Sequence, residues 1–221
     1  KPSESIEITW RYTSRHFSFN GTPEKRKETK SKLKEQAKIR QYIDLLQSWN
    51  KTHNLISDSQ TNNIKEHIED SLSVLEYTGN VLVDLGSGGG LPGIPIAIQA
   101  PKKLVFLVES NSKKFSFLLN TKNKLNLKNV EVLHSRIEDL EPEKLPTGYE
   151  IIARAVGSTK HLIQLTKKHL DNPGTQLKLM KTEQQTTKEP IPENYTVKEI
   201  HKINSKGKDK GRILVTIEKN G

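Results

Sequence analysis

Cysteine is missing altogether from the 221 residues. Its absence excludes structural disulfides, cysteine-bearing metal sites and any mechanism that runs through a thiolate nucleophile. Long apolar runs are missing too. No stretch approaches the length of a membrane span, and no signal-peptide core is visible. The expectation is a cytoplasmic protein with no membrane partner. Hydrophobic residues make up 32% of the chain and aromatics 5%, enough for one core plus an accessory segment. What the chain has in excess is positive charge, +10 overall, and it is unevenly placed. Residues 1–40 hold 11 Lys/Arg against 5 Asp/Glu, residues 198–221 hold 7 against 3, and the stretch between is balanced at 18 against 18. Basic ends on a neutral body fit a polyanionic partner held at the periphery; a solvated Lys-rich surface explains the charge equally well.

The first 30 residues are poorly patterned. Ile6 to Tyr12 alternates enough for a short strand, Asn20-Gly-Thr-Pro23 reads as a turn, and Lys25 to Lys34 is a charge run. From Lys32 to Asn50 the period becomes helical, with Ile39, Ile43, Leu46 and Trp49 on one stripe. Asn54 to Asp58 breaks it. A second amphipathic helix is expected from about Asn62, carrying Ile64, Ile68, Leu72 and Leu75 on one face. The pattern then alternates strand and helix. Apolar strands are expected at 81–85, 104–109, 130–134, 150–154 and 176–180, with helices over 113–124 and 161–170 between them. Two closing strands, 195–203 and 212–217, flank the basic loop Ser205 to Gly211. Repeated β-α-β units with short connections imply a mostly parallel, doubly wound sheet, and the closing hairpin places an antiparallel strand in it. Three segments follow: a basic leader (1–30), a helical lid or brace (31–78) and an α/β domain (79–221).

The chain is organised around Val81-Leu-Val-Asp-Leu-Gly-Ser-Gly-Gly-Gly-Leu-Pro-Gly93. A buried strand ends in glycines and turns into a helix, which implies a small concavity lined by backbone N–H groups. Gly88-x-Gly90-x-x-Gly93 formally satisfies a dinucleotide fingerprint, so a nicotinamide oxidoreductase is one reading. Asp84, two residues before Gly86, points elsewhere. Asp-x-Gly-x-Gly-x-Gly directly off the strand resembles the first motif of class I S-adenosylmethionine-dependent methyltransferases, whose Rossmann-like fold is the α/β class expected here. In that motif the acid orients the cofactor's ammonium, whereas a pyrophosphate disfavours an acid so close. Glu109, at the tip of the second strand, offers two acceptor oxygens to ribose hydroxyls; a solvated strand-end acid is the plain alternative. Past the third strand, the backbone N–H of Ile137 and the carboxylate of Glu138 lie where methyltransferases read adenine.

The absent cysteine also removes covalent carbon-5 methylation of pyrimidines, and the exocyclic-amine signature Asn/Asp-Pro-Pro-aromatic is replaced by Ala153-Arg-Ala-Val-Gly-Ser158. A ring nitrogen with a free lone pair needs no general base, so none is sought. Longer stretches carry a closer likeness: Tyr42-x-x-Leu45-Leu46-x-x-Trp49-Asn50, Asn54-Leu55, His67-x-x-Asp70-Ser71-Leu72, Asp84 through Pro95, Lys113-Lys114-x-x-Phe117-Leu118, Arg136-x-Glu138, Ala153-Arg-Ala155 and Arg212-x-Leu-Val-x-Ile217. Over about residues 39–219 the chain resembles the glucose-inhibited-division-B family, bacterial methyltransferases acting on guanine N7 of 16S ribosomal RNA. The resemblance implies S-adenosyl-L-methionine as cofactor, with contacts at Gly86, Leu91, Ile137, Glu138 and Arg154, to which the glycine loop and the strand-tip acid add Gly88 and Glu109. It places Lys181 where a target base or phosphate approaches, and helical spacing, one turn from Ser71, turns His67 toward the same pocket; the substrate it implies is small-subunit rRNA, either naked or in a 30S particle. A structural ion pair is the other role open to Arg154, and capping or packing serves His67 and Ser71 as well. A monomer is the default. Departures from the family pattern are His53 for a tyrosine, Glu109 for an aspartate, and Thr182 for a glycine. A non-catalytic RNA-binding protein that kept the fold is the remaining alternative.

Overall fold

The computed structural model describes residues 22–154, 157–186, 189–203 and 211–221. Helices α1 (Pro23–His53), α2 (Asp58–Asn62) and α3 (Ile64–Ser73) come first. The α/β part follows as β1 (Val81–Leu85), α4 (Gly93–Gln99), β2 (Leu104–Glu109), α5 (Ser112–Lys124), β3 (Val130–His134) and β4 (Glu150–Arg154). It continues with α6 (Thr159–Leu165), α7 (Lys167–Leu170), β5 (Gln176–Thr182), α8 (Glu183–Thr186), β6 (Tyr195–Lys202) and β7 (Arg212–Lys219). Among the described residues one seven-stranded sheet forms, ordered β3-β2-β1-β4-β5-β7-β6. β7 runs antiparallel to both β5 and β6, and the other pairs are parallel. The expected mostly parallel sheet with an antiparallel closing strand is what the chain builds. No helix among the described residues is long and apolar enough to cross a membrane.

Two apolar layers cover the sheet, and strand alternation sorts the residues between them. Leu82, Ile152, Met180 and Leu214 face the layer that holds α1, α4 and α5, while Val83, Ile151, Leu179 and Val215 face the other. The order changes direction between β1 and β4, and at such a switch point a crevice opens outside the strands' carboxyl ends. Gly86 to Leu91 sits there.

Boundaries differ from the sequence reading in three places. The charge run at 25–34 forms the exposed opening turns of α1, which starts at Pro23 behind the Thr22 cap and so crosses the expected 30/31 division. A Pro at the first position costs no hydrogen bond, because that N–H has no helical partner anyway. The helix stops at Asn54, in the left-handed region at φ 48°. Second, a short helix, α2, precedes α3, capped reciprocally by Ser57 and Gln60. Third, the helix expected over 161–170 is broken at Thr166 into α6 and α7. The expected strand at Ile6–Tyr12 and nearly all of the basic loop 205–211 lie outside the described residues.

α1 shares the core of its face of the sheet. Ile39, Ile43 and Leu46 pack with Ile94, Phe117 and Leu118, and burial of each such side chain contributes about 1.5–3 kcal/mol. Tyr42, fully buried, donates its hydroxyl to the Gly89 carbonyl at 2.6 Å. Its burial pushes the phenol pKa far above normal, so the group is always a donor. Tyr42→Phe is expected to cost about 2 kcal/mol, because a buried carbonyl is left without a partner. Denaturant unfolding checks this, and a loss below 0.5 kcal/mol is incompatible with the account (~0.5 kcal/mol is the floor for such a bond).

Candidate active site

The glycine stretch is built by the end of β1 meeting the end of β2. Gly86 and Ser87 both donate their N–H to the Val108 carbonyl, at 3.0 and 3.1 Å, and Gly88 donates to Glu109 Oε2 at 2.8 Å. Gly90 N–H closes back on the Ser87 carbonyl at 2.6 Å, and Gly93 N–H donates to Asp84 Oδ2 at 3.0 Å. Gly86, Gly88 and Gly90 all take left-handed φ, at 66°, 54° and 91°, which glycine alone adopts freely. The peptide bond between Leu91 and Pro92 is cis. Leu91 is buried against the core of that face.

One expectation is corrected here. The turn is not an open nest of N–H groups for an anion, because those of residues 86, 87, 88, 90 and 93 all have internal acceptors. What it presents instead is space and acids. A Cβ built on Gly88 would meet only the Gly86 carbonyl, at 3.7 Å. Asp84 is buried with Oδ1 lacking any partner, since the Ser87 hydroxyl donates to its backbone carbonyl instead. Burial pushes the Asp84 carboxyl up to about 7, opposed by the Gly93 N–H and the charge of Arg154. A pyrophosphate finds few free donors in such a turn and an acid close beneath it. A bound ammonium would find an unsatisfied acceptor.

Glu109 is buried as well, and its second oxygen accepts from Asn111 N–H at 2.8 Å. Each carboxylate oxygen has two lone pairs, so acceptor capacity for hydroxyl groups remains. Ile137 is buried and opens a tight 3₁₀ turn, Ile137–Asp139, with Glu138 exposed beside it. The first N–H groups of such a turn have no partner within it.

Arg154, the last residue of β4, lies two residues past Ile152 and so on the same face as Asp84. Its guanidinium is held by α3: Nη2 donates to His67 Nδ1, and Nη1 donates to the His67 carbonyl at 3.3 Å and Ser71 Oγ at 3.4 Å. An arginine only donates, so His67 Nδ1 accepts and the ring's proton sits on Nε2. Burial, then the neighbouring Arg154, lowers the His67 pKa and keeps the ring neutral. Asp70, also buried, pairs with Arg212 Nη2 at 3.4 Å and attracts Arg154. Two arginines thus lean on Asp70, and Arg154 is also attracted by Asp84. Of the two roles open to Arg154, the structural one takes the form of a hydrogen-bonded clamp on α3, with Asp84 close enough to attract its charge.

Lys181 does not join that cluster. It lies two residues past Leu179, on the opposite face, where its ammonium pairs with Glu189 Oε2. The same oxygen accepts from Thr159 N–H at 2.7 Å and from the Thr159 hydroxyl. Burial works against ionisation of Glu189, but these hydrogen bonds outweigh it and bring its carboxyl down to about 2. His67 and Lys181, both expected at the substrate, therefore approach the carboxyl edge from opposite sides of the sheet. Glu189 itself escaped the sequence reading, because nothing in a polar stretch marks which acid will find a buried lysine. Glu189→Ala is expected to cost about 1–2 kcal/mol by leaving Lys181 buried without its counter-charge, with cofactor affinity unchanged. Calorimetry on the variant separates the two, and an equal loss in both would move Lys181 into the cofactor site.

A family model described as rRNA small subunit methyltransferase G matches residues 35–214. Ribosomal RNA small subunit methyltransferase G of Hydrogenovibrio crunogenus is 41% identical over 189 residues, covering 83% of this chain and 85% of that protein. The protein of the same name from Azoarcus sp. is 39% identical over 186 residues, covering 82% and 86%. Among solved structures, a mutant of MtNAS in complex with S-adenosylmethionine is similar at a TM-score of 0.55 and 13% identity, covering 86% of this chain and 78% of that one; this likeness concerns the fold alone. With a family model spanning most of its length and relatives near 40% identity, the chain belongs to the rRNA small subunit methyltransferase G family.

Proposed function

We propose that this protein transfers a methyl group from S-adenosyl-L-methionine to N7 of a guanine in small-subunit ribosomal RNA. The observation that carries the reading is membership of the family across residues 35–214. The site supports it physically. Asp84 Oδ1, buried and without a partner, suits the cofactor's ammonium, and Glu109 suits its ribose hydroxyls. Ile137 N–H and Glu138 suit the adenine edge, Arg154 the carboxylate, and Gly86, Gly88 and Leu91 the floor. The nicotinamide alternative is weakened, because the N–H groups of residues 86, 87, 88, 90 and 93 are bonded internally and a buried acid, Asp84, stands beneath the turn.

When bound, the cofactor supplies an electrophilic methyl group on its sulfonium. The protein's own task is then positional. Guanine N7 carries an in-plane lone pair and no proton, so no residue has to act as a base. Holding that lone pair in line with the methyl group is the main contribution the residues can make, and such alignment is worth about 7–11 kcal/mol of barrier in favourable cases. The chain's net charge of +10 has the sign a phosphate backbone needs, while Arg154, Arg212 and Lys181 at the carboxyl edge each stand beside an acid. In this scheme residues 31–78 serve as a brace: Tyr42 fixes the glycine turn from below, and Trp49 packs edge-on against Phe117 at 5.6 Å. The substrate places the activity in the cytoplasm, with rRNA as the partner.

The test is incubation with labelled adenosylmethionine and small-subunit rRNA lacking the modification, both naked and as 30S particles, followed by nucleoside analysis. Label in 7-methylguanosine is the expected result. Label in another nucleoside, or none with either substrate, overturns the reading.

A further inference from the structure

Behind the Ile137–Asp139 turn lies a buried polar relay that the proposed chemistry leaves unused. His169, on α7, is fully buried, and its Nε2 lies 3.0 Å from the Ile137 carbonyl. A carbonyl only accepts, so Nε2 carries the proton. Nδ1 must then accept, and it lies 2.6 Å from the hydroxyl of Tyr149, which is itself buried. The chain of donors runs one way: Tyr149 hydroxyl to His169, and His169 to Ile137. Burial, more than any neighbouring charge, lowers the His169 pKa and keeps the ring neutral. The same Ile137 carbonyl takes the Leu140 N–H that closes the turn, at 3.2 Å. One residue earlier on α7, Lys168 reaches Glu141 at 3.2 Å. Two successive residues of one short helix therefore clamp both ends of segment 137–141, and the inner clamp acts on the residue whose N–H faces the other way.

We infer that His169 is a positioning residue for cofactor recognition: by holding the Ile137 carbonyl, with its tautomer set by Tyr149, it aims the Ile137 N–H and Glu138 at the adenine edge. This rests on the adenine reading of Ile137 and Glu138 given above. The Ile137 carbonyl shares its rigid plane with the Glu138 N–H, so holding it orients Glu138, and the Ile137 N–H shares the preceding plane with the Arg136 carbonyl, which accepts the Asp139 N–H at 3.2 Å; two held planes leave residue 137 little freedom to turn. A buried histidine that only filled space would have no need of two directional hydrogen bonds, and a phenylalanine would serve.

The test compares S-adenosylhomocysteine with its deaminated inosine counterpart, by calorimetry on the intact protein. Deamination turns the exocyclic amine into a carbonyl and protonates the ring nitrogen, which reverses both hydrogen bonds. The unmodified protein is expected to prefer the adenine compound by on the order of 100-fold, about tenfold for each reversed bond. His169→Phe keeps the volume and loses the donor; it should cut that preference roughly tenfold, and His169→Gln, whose amide nitrogen reaches as far as Nε2, should restore part of it. Tyr149→Phe, which keeps the donor but frees the tautomer, should lower the preference several-fold. If the unmodified protein shows no preference, the adenine reading fails and takes this inference with it. If the preference is strong and survives in both phenylalanine variants, or if the affinities for the two compounds fall in parallel, the adenine reading stands and His169 is a packing residue only. Should His169→Phe fail to fold, Tyr149→Phe decides alone by the same ratio.

Discussion

Gly93→Ala is expected to lower the melting temperature by roughly 6–12 °C and to remove measurable cofactor binding. The helix that follows the glycine turn begins at Gly93, pressed directly on β1 and β2. A Cβ there would stand 2.6 Å from Asp84 Oδ2 and 3.2 Å from Asp84 Cβ, and closer still to a methyl of Leu107. Leu107 and Asp84 are both buried, so neither can swing aside without opening the core. Overpacking of this kind costs about 3 kcal/mol, and each kcal/mol is worth about 2–4 °C in a chain of this size. The cofactor loses as well, because the collision moves the one carboxylate whose free oxygen it needs. Gly88 is the counter-case. Its Cβ would enter open space, so Gly88→Val should cost only about 1–2 kcal/mol for the left-handed backbone. It should nevertheless weaken adenosylmethionine binding at least tenfold by filling the concavity. Thermal unfolding paired with calorimetry on both variants reads this out. Equal stability losses at 88 and 93 would mean that the turn does not have the packing described.

Adenosylmethionine affinity is expected to rise with pH up to about 7 and then to level off. Burial pushes the Asp84 carboxyl up to about 7 from its ordinary 3.8. The groups facing it are Tyr42 from α1, Arg154 from β4 and Glu109 from β2, with the Gly93 N–H; Tyr42 stays protonated throughout and Arg154 stays charged. An ammonium favours the ionised carboxylate, so below pH 7 binding must expel a proton and affinity falls by up to tenfold per unit. Above pH 7 the proton is already gone and the profile is flat. Stability of the cofactor-free protein should run the other way. Between pH 3.8 and 7 the folded state holds a proton that the unfolded chain has lost, so stability drops as pH rises. The penalty is absent below the lower value and complete above the upper, on the order of 4 kcal/mol at most. Asp84→Asn keeps an acceptor for Gly93 and removes the titration. Calorimetry at pH 6, 7 and 8 should then give a flat profile of low affinity. A steep profile that persists in Asp84→Asn would assign the titration to another group.

The strands were legible in the sequence because buried parallel strands are continuous apolar runs, and Leu104 to Glu109 or Glu150 to Arg154 can be bounded from composition and flanking residues alone. The glycine turn was legible for a related reason: Asp84 and its glycines are local, within ten residues of one another. Hence fold class and family, and the place of the glycine turn in the chain, were legible in the sequence. Helix ends were less legible. A charged opening such as Lys25 to Lys34 has no apolar stripe to report it, and a break such as Thr166 inside α6–α7 carries no proline or glycine.

What only the tertiary structure decided is which groups of the site stand together and what each one bonds. The glycine turn seemed an anion nest from its residues; folded, the N–H groups of residues 86, 87, 88, 90 and 93 are taken by Val108, Glu109, Ser87 and Asp84, and a buried carboxylate with an unpartnered oxygen stands beneath it. Arg154 could be placed beside the pocket from sequence, but its clamp on α3 joins residues 87 apart, and Tyr42 reaches Gly89 across 47. Strand alternation sends Lys181 to the face opposite Arg154, and so away from His67, which Arg154 holds on α3. Hydrogen-bond partners at such separations leave no periodicity behind, because they are set by which strands become neighbours in the sheet. The order of strands is a property of the whole chain, and so is the chemistry of the site it assembles.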